Sequence, residues 1–420
     1  MSRSEPPPSY RALFAIPSMA RIVLGMAFSR TANSMLGVAI VLFALDRFES
    51  PALAGVVTFA SVAPGLLLSP IAGALLDRHG RVRLIIVDQL IAAASLLLLA
   101  ALALTGALTA PLLVIFATIT GLTSPLSSVG LRTLFPIIVP RRLWERVNAV
   151  DSNGYVVATL IGPPAAGLLF QLAGGPQTLV VIAILYAAAA VVFVRVHEPH
   201  ADTSSTGRLL VDAWQGLVYT VRNPTLRGLG ITMTILNLGW GIVTIVLPVL
   251  ILETLGLGEA VVGAAFAISG VTGGIGALWA GRMRTVGREI PMLVWPMFGI
   301  AAAPAALLVS PTIGVIIAVM AITGFLNGPL DVALFTVRQR RTDPAWLGRA
   351  FAVSMSLNFL GYPFGAAIGG SLVAVDASLA IVVAVVASAL AGVLGWLLLP
   401  RTEPPTPPAA AAVVSGAGSP

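Results

Sequence analysis

Long apolar runs alternate with short polar breaks along almost the whole chain. Twelve such runs can be delimited: 20–45, 52–76, 83–105, 111–138, 147–171, 177–196, 227–252, 259–281, 290–309, 311–337, 350–373 and 377–399. Each has about the 20 residues that a helix needs to cross a bilayer. The runs are continuous and rich in Leu, Ala and Val, without the two-residue alternation of barrel strands, so the pattern predicts spanning helices and not a β-barrel. The predicted fold class is an all-α membrane protein with twelve transmembrane helices. At the N-terminus, no short apolar core is followed by a small-residue cleavage site, so no cleaved signal peptide is expected.

The longest break, about 198–226, divides the runs six and six. The two halves resemble each other without gaps at an offset of 203 residues: ITGLTSPLSSVGL begins at Ile119 and ITGFLNGPLDVAL at Ile322. Arg146, Ala149, Val150, Gly162 and Gly167 fall over Arg349, Ala352, Val353, Gly365 and Gly370 at the same offset. A register held across two helices and their loop predicts a duplication, with two pseudo-symmetric six-helix bundles related by an axis along the membrane normal. The expected organisation is a segment 1–19, a bundle 20–197, a central loop 198–226, a bundle 227–400 and a low-complexity, disordered tail 401–420. Within the central loop, Leu209, Leu210, Trp214, Leu217 and Val218 share one helical face. That stretch either lies on the inner membrane surface or is a helical linker.

Composition sharpens the topology. Only 10% of residues are charged, against about 25% in soluble domains. All 24 basic residues are arginine and cysteine is absent, which removes disulfides and thiolate metal sites. Apart from Arg30, inside the first run, and Arg47, just after it, the arginines lie in or beside the segments on one side, with Arg338, Arg340, Arg341 and Arg349 assigned to the break between runs 10 and 11. The positive-inside rule therefore places both termini in the cytoplasm. The net charge of +7 is a topology signal and not a nucleic-acid footprint.

The break between runs 2 and 3 reads GALLDRHGRVR, beginning at Gly73. Gly73, Leu75, Asp77, Arg78, Gly80 and Arg81 fill the Gly-x-Leu-x-Asp-Arg-x-Gly-Arg signature of the major facilitator superfamily, with Val82 where a further basic residue is usual and Arg83 after it. In run 5, ATLIGPPAAG resembles the antiporter motif of the drug-exporting branch. Gly162, Pro163 and Gly167 match, while Ala149, Ala158 and Ala166 replace glycines. LRTLFPIIVP, WERVNAVDSN and GLVYTVRNPTLRG resemble the drug:proton antiporter subfamily that includes macrolide and enterobactin exporters. The resemblance implies that Asp77 docks at the cytoplasmic end of helix 11, where the helix dipole and Arg349 attract it, and holds the inner side shut. Two departures stand out. The second-half loop, GRMRTVGRE, has Arg284 opposite Asp77, and run 4 has Ala117 where many proton antiporters carry an arginine.

Small residues recur every fourth position on four runs: Ser61, Gly65, Ser69, Gly73; Ala158, Gly162, Ala166; Ser269, Gly273, Ala277, Gly281; and Gly361, Gly365, Gly369. Such stripes allow close backbone approach. The resemblance implies that helix 2 packs on 11 and helix 5 on 8, so the stripes are expected to form the seams that rock during alternating access, static packing being the plainer reading. The resemblance also implies a cavity lined by helices 1, 4, 7 and 10. Those runs carry Arg30, Asn33, Ser124, Ser128, Asn237, Trp240, Asn327 and Asp331, polar groups costly to face to lipid. Proton-coupling candidates are Asp331 with Arg30 as a possible partner, Asp88 and Asp151. Asp88 is also read as an ion-pair anchor behind Arg81 and Arg83, and Asp151 as a carboxylate suited to a helix N-terminus.

The function expected is secondary active export of a small amphipathic or lipophilic compound, exchanged for protons, through the bacterial inner membrane. Alternatives within transport are a dedicated siderophore or metabolite exporter and an uptake symporter. A non-transporting sensor and an intramembrane enzyme are the other classes. His79, His197 and His200 all lie in loops, and no metal-ligand spacing or nucleophile–base pair appears in the runs. With no lysine there is no Walker lysine. The expected partners are a small-molecule substrate, protons and membrane lipid, with no cofactor, no metal and no nucleic acid, in a monomer.

Overall fold

The computed structural model describes residues 9–198, 209–283, 287–343 and 346–401. The helices are α1 (Tyr10–Phe14), α2 (Met19–Phe48), α3 (Pro51–His79), α4 (Arg81–Leu104), α5 (Ala110–Ile138), α6 (Trp144–Ala173), α7 (Gly175–Val194), α8 (Leu209–Arg222), α9 (Pro224–Val249, continued by a π-helical turn Leu250–Thr254), α10 (Glu259–Gly281), α11 (Glu289–Val309), α12 (Ile313–Arg340), α13 (Leu347–Val373) and α14 (Ala377–Leu398). No strand occurs among the described residues. The twelve long helices, α2–α7 and α9–α14, correspond to the twelve apolar runs. Eleven of them are long and apolar enough to cross a membrane. The twelfth, α13, is more polar because it carries Ser354, Ser356, Asn358 and Tyr362, yet its 27 residues reach about 40 Å and it packs within the bundle.

Local chemistry sets the helix ends. Ser50 accepts a hydrogen bond from Leu53 N, with Pro51 at the first helical position of α3. Asn223 caps α9 through Thr225 N and Leu226 N, again ahead of a proline. Asp376 caps α14 through Ser378 N at 2.7 Å. A single residue, Gly80 at φ +88°, separates α3 from α4. Only glycine adopts that backbone without strain, which explains one fixed place in the GALLDRHGRVR loop.

The duplication is visible in the packing. Within the first half α2 packs on α6 and α7, α3 on α5, and α4 on α5 and α7. Their images in the second half are α9 on α13 and α14, α10 on α12, and α11 on α12 and α14. The two extensive contacts between the halves are α3 with α13 and α6 with α10, and each is the image of the other. The linker helix α8 packs mainly on α13 and touches α3, with Tyr219 stacked on Trp346 at 5.1 Å, while Trp214 is exposed. The side chains of Leu209 and Leu210 lie outside the described residues, as do residues 1–8, Arg208, Arg284 and the tail from 402.

The hydrophobic core divides unequally along the membrane normal. At the end away from the arginine-rich loops one core joins both halves, from Met35–Leu45 of α2 to Ile242–Ile251 of α9 and beyond. At the arginine-rich end there are two separate cores. One is built around Leu13, Met26, Leu134 and Phe193, the other around Leu229, Leu293, Leu334 and Leu399. The molecule is therefore closed at the far end and split at the arginine-rich end.

Candidate functional site

The split opens onto a chambered cavity between the halves. One chamber of about 390 Å³ is lined by Ser34, Thr159, Trp240, Phe266, Asn327 and Tyr362, among others. A second, of about 610 Å³, is lined by Asn33, Asn237, Asn327, Asp331, Phe335 and Phe359. A third, of about 400 Å³, reaches into the first half past Arg30, Asp88, Gln89, Ser124, Ser128 and Tyr155. Asn33 is common to the second and third chambers, and Tyr362 to all three, so the chambers adjoin. All eight polar residues proposed from sequence for a cavity wall line these chambers.

The charged groups pair differently from the expectation. Arg30 of α2 is 7% exposed and forms an ion pair with Asp151 of α6, not with Asp331. It also donates to the backbone oxygen of Asp151 at 2.5 Å and lies 3.7 Å over the ring of Tyr155. A buried arginine costs on the order of 2.5–3.5 kcal/mol or more, and this socket offsets that cost with a carboxylate, a carbonyl and a π face. Asp151 thus serves Arg30 as well as standing near the start of α6. Asp88 does not pair with Arg81 or Arg83. It is 4% exposed and accepts from Ser127 of α5, with Gln89 Nε2 at 3.2 Å.

Asp331 of α12 faces the second chamber, with Asn327 one turn away at 3.5 Å. Aromatic and sulfur side chains share that wall: Trp240, Phe335, Met355, Phe359 and Tyr362. Two turns beyond Asp331 is Arg338, which is completely buried inside α12 and is not the loop residue the sequence suggested. Asn358 of α13, oriented with its amide oxygen toward Arg338, accepts from Nη2 at 2.5 Å and donates to Ser354 O at 3.0 Å. Met355 Sδ is 2.7 Å from Arg338 Nη1.

The loop between α3 and α4 is tied to itself and to the start of the central segment. Asp77 forms an ion pair with Arg81, one turn on. Arg81 also reaches Glu198 at 3.4 Å, and Glu198 accepts from Val82 N at 2.9 Å at the start of α4. A carboxylate there satisfies an otherwise orphan amide and meets the positive helix end. In the second half Glu289 pairs with Arg340 at 2.5 Å instead. Arg349 lies in the first turn of α13, and its side chain is outside the described residues.

The small-residue stripes face inward within each half and do not form the seams between halves. A Cβ on Gly65 would meet Gly121 and Ser124 of α5, and one on Gly162 would lie 2.6 Å from Ser34 Cβ of α2. Gly361, Gly365 and Gly369 back onto Thr234, Leu238 and Ile242 of α9, and Gly273 onto Gly324 of α12. The close approaches between halves use other residues. Gly55 and Pro51 of α3 meet Ala366 and Gly370 of α13, while Pro163 and Gly167 of α6 meet Gly263 and Glu259 of α10. Phe59 and Phe364 add an edge contact at 5.2 Å, and Gln171 accepts from Ala260 N at 3.1 Å. Of the antiporter-like motif, Pro163 and Gly167 therefore touch the other half, Gly162 touches its own, and Ala158 and Ala166 are buried.

The family model of the Major Facilitator Superfamily matches residues 22–237 and 229–417. This chain belongs to the major facilitator superfamily. An MFS-type transporter of Sinorhizobium fredii, y4rN, described as uncharacterised, is 37% identical over 414 residues, covering 94% of this chain and 98% of that one. Multidrug efflux pump Tap of Mycolicibacterium fortuitum is 27% identical over 359 residues, covering 81% and 86%. Among solved structures, a bacterial homologue of the human lysosomal transporter Spinster, in an inward-facing and unoccupied conformation, superposes with a TM-score of 0.73 at 14% identity, covering 94% and 98%. The nucleoside transporter NupG gives 0.72 at 12% identity, covering 91% and 99%. The protein is a multi-pass membrane transporter of the superfamily and not an enzyme, with a small-molecule substrate.

Several residues of this transporter's cavity escaped the sequence reading. Tyr155, Asn358 and Tyr362 carry no charge and look in sequence like ordinary helix residues. Outside the chambers, Arg338 looks like a loop charge and Glu198 carries no signal of its contact with α4. One signal was available. Asp151 and Tyr155 fall over Ser354 and Asn358 at the same offset of 203, so the α6 and α13 sides of the two sockets are in register in the sequence, although the arginines are not.

Proposed function

We propose that this chain exports a small amphipathic, drug-like compound from the cytoplasm in exchange for protons, by alternating access, with both termini on the cytoplasmic side. The observation that carries the reading is the second chamber. A carboxylate, Asp331, stands on a wall of aromatic, sulfur and amide groups at the open end of a cavity whose far end is sealed by a core shared between the halves. Such a wall suits a flat, lipophilic cargo with a polar or basic handle. The efflux role printed for the Tap relatives points in the same direction. With the arginine-rich end cytoplasmic, the molecule is open inward, ready to load cargo.

Asp331 and the Arg30–Asp151 pair are the proposed coupling groups, because Asp331 changes its exposure as the cavity opens to one side or the other. One proton moved through ~100 mV supplies about 2.3 kcal/mol, and each tenfold cargo gradient costs about 1.4 kcal/mol. On closing, Asp77 would leave Arg81 for the first turn of α13, where the helix dipole favours a carboxylate, and Glu198 would keep Arg81 in place. Both walls of the cavity come from one chain, which suits a monomer in the inner membrane. Reconstituted liposomes with an imposed pH gradient test the reading with a panel of amphipathic dyes and drugs. Gradient-dependent cargo movement that a protonophore abolishes and Asp331→Asn removes is the expected result. Movement indifferent to the protonophore would overturn the proton step.

A further inference from the structure

The third chamber contains a cluster that the export reading does not use. Asp88 and Gln89 of α4 are 4% and 1% exposed, and Ser127 of α5 is 6% exposed. Ser127 Oγ donates to Asp88 Oδ2, Thr123 offers a second hydroxyl to the same carboxylate, and Gln89 Nε2 bridges Asp88 Oδ2 at 3.2 Å and Ser127 Oγ at 2.7 Å. Two groups in this cluster lack positive partners. Among the described residues no cation pairs with Asp88, since Arg30, on the wall of the same chamber, is taken by Asp151. Gln89 Oε1 is buried with no hydrogen-bond partner. A buried carboxylate without a counter-charge and a buried carbonyl without a donor are each costly, and side by side they share one remedy.

We propose that Asp88, Gln89, Ser127 and Thr123 form a sodium-ion site in the first half, separate from the cavity carboxylate Asp331. Turning the Gln89 amide over would bring the orphan oxygen onto the edge shared by Asp88 and Ser127 at the cost of the two hydrogen bonds that Nε2 makes there, which the bound ion would replace. A carboxylate, an amide oxygen and two hydroxyls then converge. All are hard oxygen donors with a single negative charge among them, which suits a small hard monovalent cation better than a divalent or a soft metal. A proton on Asp88 would satisfy one acceptor, whereas a metal ion satisfies all of them at once. The ion has a route, since Asp88 and Gln89 line the chamber that adjoins the main cavity past Asn33 and Tyr362. The other charged or titratable groups around it are Arg30, Tyr155 and Tyr186, the last also buried beside Asp88.

The test reads binding without transport, so it stands or falls apart from the proton-export reading. The full-length protein is purified in detergent and melted in sodium, potassium or choline chloride at equal ionic strength and pH. Sodium is expected to raise the melting temperature by several degrees over the other two salts, saturating with concentration. Asp88→Asn and Gln89→Leu should each abolish the shift. Gln89→Leu is the sharper variant, because it removes the orphan oxygen and keeps the carboxylate; it also removes the Nε2 hydrogen bonds to Asp88 and Ser127, so its melting temperature in choline serves as the reference for its fold. Equal melting in the three salts, or a sodium shift that survives both substitutions, would overturn the site. So would a stabilisation that follows pH and ignores sodium.

Discussion

Each half seats an arginine against corresponding positions of α6 and α13, but the arginines come from α2 and α12, helices that are not images of each other, and the two sockets treat them differently. In the first half Arg30 comes from α2 and meets Asp151 and Tyr155 of α6. In the second half Arg338 comes from α12 and meets Asn358, beside Ser354, at the positions that correspond to Tyr155 and Asp151. The first socket holds its own carboxylate, so its charge is balanced on the spot. The second has Ser354 in place of the carboxylate, and the acid of that half, Asp331, stands two turns away on the cavity wall. One architecture is repeated, with one half neutral in its socket and the other carrying an acid on the cavity wall.

The largest expected effect comes from removing that exposed acid. Asp331→Asn should lower proton-driven cargo export at least ~10-fold, a change of about 1.4 kcal/mol in transport free-energy terms, with normal expression. Asp151→Asn should lower thermal stability as well as export, because it strands a buried arginine. Loss of transport in Asp151→Asn without loss of stability would reverse the roles assigned to the two halves.

Next is the pair itself. Breaking one partner of a buried ion pair typically costs 3–5 kcal/mol, whereas replacing both by apolar residues is often close to neutral. Arg30→Leu or Asp151→Leu alone should therefore lower the melting temperature sharply in detergent, and the double variant should recover most of it. In the second half, Arg338→Leu should be milder, since it leaves a neutral amide and not a buried carboxylate. An equal loss for Arg30→Leu and Arg338→Leu would erase the distinction.

The glycines give a third contrast. Gly365→Ala inserts a methyl between α13 and α9 inside one half, and overpacking of this kind costs roughly 1–3 kcal/mol. It should reduce stability. Gly370→Ala inserts the same methyl between α13 and α3, across the halves. It should lower melting less than Gly365→Ala, because the halves can move apart, and raise labelling of cavity cysteines introduced near the far end, because the closure there is loosened. The smallest effect belongs to the loops. Glu198→Gln removes a charge-assisted cap on α4 and should cost about 1 kcal/mol. Glu289→Gln, whose partner Arg340 is partly exposed, should cost less in the same melting assay.

The legible part of the site was its inventory. Arg30, Asn33, Ser124, Ser128, Asn237, Trp240, Asn327 and Asp331 were named because a polar group on a spanning helix must avoid lipid, and the structure has each of them on a chamber wall. Their partners were not legible. Helical spacing orders residues along one axis and around one helix, but it carries no distance between helices. Three aspartates lie in the runs, and nothing in the run containing Asp151 says that it sits closer to Arg30 than Asp331 or Asp88 does. Arg338 was taken for a loop residue because α12 continues past the apolar run, and a buried arginine looks in sequence like any other charge at a helix end.

What the sequence by itself determined follows from the bilayer as solvent. Apolar length sets which segments span, arginine placement gathers the charge at one end of the bundle, and a constant offset between halves sets the pseudo-symmetry. Each is a one-dimensional property that lipid and water read directly. The tertiary structure alone decided which faces meet. A stripe of small residues at every fourth position specifies that some backbone approaches closely, but it is silent about whose. Gly361, Gly365 and Gly369 chose α9, and the contact with α3 went to Ala366 and Gly370, a neighbouring face of the same helix. Only the packed bundle also showed that one core joins the halves at the far end while two separate cores leave the arginine-rich end open.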